Sequence, residues 1–130
     1  MKNAHEELLK FLAPEENVEA IVFGPWGWGY APDDPTQPWD PGYEEPDPPP
    51  VPFDLRGKLL LPSQAYPLMQ SWSFFSGYGS PKCYATYIWT NKRIIWVHEY
   101  DGSTRLCSAP RNPAECMPSL SGINGEPTWA

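Results

Sequence analysis

At 130 residues the chain has room for one modest hydrophobic core and fits a single domain, residues 1–130. No apolar run approaches the roughly 20 residues a membrane-spanning helix needs, and three cysteines are too few for a disulfide scaffold. The net charge of -7 belongs wholly to residues 33–54, which leaves the rest of the chain neutral and without the basic footprint of a nucleic-acid binder.

From the N-terminus, Asn3 followed by Glu6 has the spacing of an N-cap with its reciprocal carboxylate, and Ala4, Leu8, Phe11 and Leu12 recur at helical spacing until Pro14. This predicts a first helix. Residues 18–23 are β-branched and apolar and predict a short strand closed by Gly24. Glycine then alternates with large rings from Gly24 to Tyr30, which suits a loop that carries Trp26 and Trp28 as aromatic anchors.

Residues 31–54 form a proline-rich insertion. Nine of the 18 prolines lie between Pro32 and Pro52, and they exclude helix interiors and central strands in favour of polyproline II and turns. Asp33, Asp34, Asp40, Glu44, Glu45, Asp47 and Asp54 are interspersed without a single Lys or Arg, and Trp39, Tyr43 and Phe53 sit among them. A second helix is expected from an N-cap at Ser63 through Ala65, Leu68 and Met69 to about Trp72.

Three β-rich runs follow, at 83–89, 94–100 and 103–109, separated by Thr90-Asn91-Lys92-Arg93 and by Asp101-Gly102. Asp-Gly is among the strongest two-residue hairpin signals, so these runs predict a three-stranded antiparallel meander. The expected fold class is therefore α+β: a small antiparallel sheet, with residues 18–23 as a fourth strand, packed with two short helices and carrying a long acidic loop.

Pairing Thr90 with Arg93 and Tyr100 with Ser103 sets the register and separates two faces. One holds Tyr84, Thr86, Ile88, Ile95, Val97, Glu99, Thr104, Leu106 and Ser108 and suits packing beneath the helices. The other holds Cys83, Ala85, Tyr87, Trp89, Ile94, Trp96, His98, Tyr100, Arg105 and Cys107. That aromatic face is either a second core layer or a platform on which Tyr87, Trp89, Trp96 and Tyr100 stack on a flat ligand, with His98 and Arg105 for its polar groups.

The same register argues against catalysis. His98 and Glu99 point to opposite faces, and Cys83 and Cys107 lie roughly 16 Å apart by standard sheet spacing, too far for one metal or a disulfide. Neither a metal-binding nor a phosphate-cradling nor a nucleophile-elbow motif is present. No cofactor, metal or enzymatic activity is expected.

The acidic segment has three readings: a solvated loop, a ligand for aromatic-lined grooves through its PxxP spacings, and a surface that engages the basic groove of a nucleic-acid-handling protein. As a mimic of duplex DNA it is sparse, at about 10 Å per charge in extended polyproline II against about 1.7 Å. Its coincident acids and rings nevertheless favour a protein partner, engaged through Trp26, Trp28, Asp33, Asp34, Trp39, Asp40, Tyr43, Glu44, Glu45, Asp47 and Phe53.

The run from Gly77 to Thr104, GYGSPKCYATYIWTNKRIIWVHEYDGST, with Pro110-Arg111-Asn112-Pro113 after it, resembles small bacterial and phage proteins without an assigned function. The resemblance implies a phage or mobile-element origin and, for a small acidic protein without catalytic motifs, an inhibitor of a host defence system of the anti-CRISPR kind acting in the cytoplasm. The expected function is a non-enzymatic binding or inhibitor protein. The alternative is a small-molecule or nucleotide sponge that uses Tyr87, Trp89, Trp96, His98, Tyr100 and Arg105.

Overall fold

A computed structural model describes residues 2–29, 33–34, 44–74, 81–100, 103–115, 118–119 and 122–123. The chain forms a four-stranded antiparallel sheet in the order β1-β2-β3-β4, packed with two helices, a small α+β fold. Helix α1 spans Ala4–Phe11, and the Asn3 side chain accepts the Glu6 N–H at 2.9 Å, as its N-cap position requires.

Strand β1 spans Val18–Trp26, three residues longer than the sequence pattern suggests. Gly24 does not close it: a register irregularity between Phe23 and Trp26 carries the strand past Gly24 and Pro25. Pro25 is tolerated because β1 is the outer strand of the sheet; on its far side Leu60 exchanges both backbone hydrogen bonds with Ile21 at 2.9 Å, and the Gly57 N–H reaches the Phe23 carbonyl at 2.8 Å. The extension turns Trp26 into the core instead of leaving it on a loop.

Helix α2 spans Pro62–Met69. Its N-cap is Leu61 rather than Ser63, because Pro62 takes the first helical position and Gln64 Oε1 accepts the Leu61 N–H at 2.9 Å. The meander consists of β2 (Tyr84–Thr90), β3 (Arg93–Tyr100) and β4 (Ser103–Pro110). Tyr87 pairs with Trp96, Ile88 with Ile95, and His98 with Arg105, which is the register that the turn residues dictate. Beyond Pro110 the chain is not wholly irregular, since Pro118–Ser119 (β5) pairs with Gly122–Ile123 (β6).

The inner face of the sheet makes the core. Tyr84, Ile88, Ile95, Ile21 and Phe23 are fully buried against Ala4 and Leu8 of α1 and Ala65 and Met69 of α2. Aromatic rings fill one end of it. Tyr84 meets Trp72 at 4.8 Å and Trp26 at 5.0 Å between centroids, both edge-on. Cys83, which alternation would place on the outer face, is buried in this cluster. It precedes the first residue of β2, so the period-two rule does not reach it.

Candidate binding surface

Two regions bear the residues that the sequence singles out. The first begins where the acidic segment returns to the body. Val51 is fully buried, and Arg56, four residues before Leu60, has a side chain with no exposure at all. A guanidinium in that position requires a counter-charge and acceptors. Glu45 supplies the charge as a direct ion pair, and the Val51 carbonyl accepts from Arg56 Nε at 3.2 Å and Nη2 at 3.1 Å. The Tyr84 hydroxyl donates to Glu45 Oε1 at 2.9 Å and accepts the Val51 N–H at 3.3 Å. Burial pushes that hydroxyl up to about 12, and its bond to the Glu45 carboxylate adds to the rise.

Glu45 is thus spent inside the molecule. Its side chain is 6% exposed. Glu44, its neighbour, has φ at +61°, in the left-handed region, and reaches Lys82 at 3.1 Å on the surface. Asp33, Asp34, Asp47 and Asp54 are exposed. Phe53 is half-exposed and stacks on Arg56, whose guanidinium carbon lies 4.1 Å from the ring centroid. Trp28 is exposed, whereas Trp26 is core. Trp39, Asp40 and Tyr43 lie outside the described residues.

The second region is the outer face of the sheet. Tyr87 and Trp89 sit two residues apart on β2 with their rings edge-on at 6.2 Å, and Tyr87 is 57% exposed. Trp96, His98 and Arg105 are half-buried, and Trp96 stands opposite the buried Cys107. Tyr100 pairs with Ser103 at the end of the ladder. On this face Ala85 and Tyr87 of β2 are exposed, whereas Ala20, Val22 and Trp89 are half-buried like Trp96, His98 and Arg105.

Where β1 meets β2, Val22 pairs with Tyr87, and Gly24 lies so close to Ala85 that a Cβ at Gly24 would stand 3.3 Å from the Ala85 Cβ. Val22, Gly24, Pro25, Gly57, Ala85 and Tyr87 line an apolar groove of about 270 Å³ here, without a charged side chain. Leu59 and Leu61 extend the surface, because Leu60 faces the core and alternation turns its two neighbours outward, 67% and 52% exposed.

Sequence reasoning placed Tyr84 on the buried face but not in the clasp, and it singled out neither Arg56, Val22, Leu59 nor Leu61. The signal for the leucines lay in the triplet Leu59-Leu60-Leu61 ahead of a proline, where alternation along an extended edge cannot bury all three. For Arg56 no signal exists in the sequence, since its partner lies eleven residues away across a proline-rich stretch.

Elsewhere, Glu16 is buried between α1 and the β2–β3 turn, where its carboxylate accepts from Arg93 Nε and Nη2, each at 2.8 Å, and from the Thr90 hydroxyl at 2.6 Å. Among the described residues no group of His, Cys, Asp and Glu is arranged to hold a metal, and no helix is long and apolar enough to cross a membrane. Cys83 is a buried free thiol, and Cys107 is buried. No family model matches the chain, and neither a curated protein nor a solved structure is significantly similar to it.

Proposed function

We propose that this is a non-enzymatic cytoplasmic binding protein that engages a protein partner through the acidic segment. The observation that carries the reading is the clasp formed by Glu45, Arg56, Tyr84 and Val51, which ties the end of that segment to the hydrophobic core. The clasp gives the exposed carboxylates of Glu44, Asp47 and Asp54 a fixed frame, so less conformational entropy is lost when a partner binds them. Exposed Trp28 and Phe53 supply the rings that anchor such interfaces. A basic groove on a nucleic-acid-handling protein complements this charge, and an antagonist of a host defence system is the class of protein that such a surface serves.

The test replaces Asp33, Asp34, Asp40, Glu44, Asp47 and Asp54 with their amides and keeps Glu45, whose role is internal. A tagged wild-type protein is used to capture a partner from host lysate, and the affinity of both forms for it is measured across a range of salt. Weaker binding and a flatter salt dependence are expected of the amide form. Equal affinity and equal salt slope overturn the electrostatic reading.

A further inference from the structure

We draw no further inference here: the strongest candidate, the open trough of about 380 Å³ between α1 and β4, carries charges of both signs in Glu7, Lys10 and Arg105, its Glu7 carboxylate already accepts the Phe74 N–H at 2.8 Å, and nothing in the structure shows what occupies it.

Discussion

Glu16 shows how one buried carboxylate is kept charged. Burial alone opposes its ionisation, but the hydrogen bonds from Arg93, Thr90 and the Ala13 N–H outweigh that penalty and hold it at about 2, against 4.5 for a free side chain. Because the folded value is depressed, the stabilisation is complete above the unfolded value and fades as pH falls from about 4.5 to about 2. The shift corresponds to about 3 kcal/mol. Acid unfolding of the wild type should therefore steepen across that window, and Glu16→Gln should be less stable at neutral pH by a comparable amount with a flatter acid limb. Identical acid profiles for the two proteins would count against the network. Cys83 gives the opposite sign. Burial, assisted by the charges of Glu99 and Glu7, pushes its thiol up to about 12, so at neutral pH almost none of the nucleophilic thiolate exists. Alkylation of Cys83 in the native protein should be far slower than in denaturant, when followed by mass spectrometry. The same raised values at Cys83 and Tyr84 predict that stability declines as the medium becomes alkaline, since the unfolded groups ionise first.

At the level of elements, the meander was readable because both of its turns and its alternation agreed. Ile88 and Ile95 fall on the buried face and Tyr87 on the exposed one, in the pairing that Thr90 and Arg93 impose. Helix α1 was readable from Asn3 and Pro14 for the same reason of local chemistry. The end of β1 was not, because Gly24, Pro25 and Gly27 are loop residues by propensity and are held in place by tertiary contacts: Gly24 against Ala85, and Gly27 by its N–H to the Cys83 carbonyl at 2.9 Å. The candidate surface was half legible. Tyr87 and Trp89 followed from alternation, whereas the fate of Glu45 depended on Arg56, and no local rule joins those two. Gly27 offers a sharp test of the β1 ending. Its φ is +56°, and a Cβ there would stand 2.7 Å from the Pro81 carbonyl oxygen, so both conformation and space require glycine. Gly27→Ala should cost about 2 kcal/mol or more in chemical denaturation. An unchanged midpoint would mean that the turn relaxes without cost.

Across the whole molecule, a neutral body carries all of the excess charge on one segment, and that segment contains acids of two physical kinds. Glu45 is buried and paired, so its removal strands a guanidinium that has no exposure to water. Breaking a buried pair from one side costs about 3 kcal/mol or more, which lowers the melting temperature by about 10 °C in a chain of this size. Salt should do little to restore it, because a buried charge is poorly screened. Asp33, Asp34, Asp47 and Asp54 are exposed, so their conversion to amides lowers the net negative charge of the molecule and should leave stability unchanged or slightly raised at low ionic strength, with the difference vanishing as salt is added. The decisive comparison is Glu45→Ala beside the four-amide variant in thermal unfolding at low and high salt. If both shift the melting temperature in the same direction and with the same salt dependence, the segment is uniformly solvated and the clasp does not hold it; opposite signs establish that Glu45 anchors the segment while the exposed aspartates act only through screened charge.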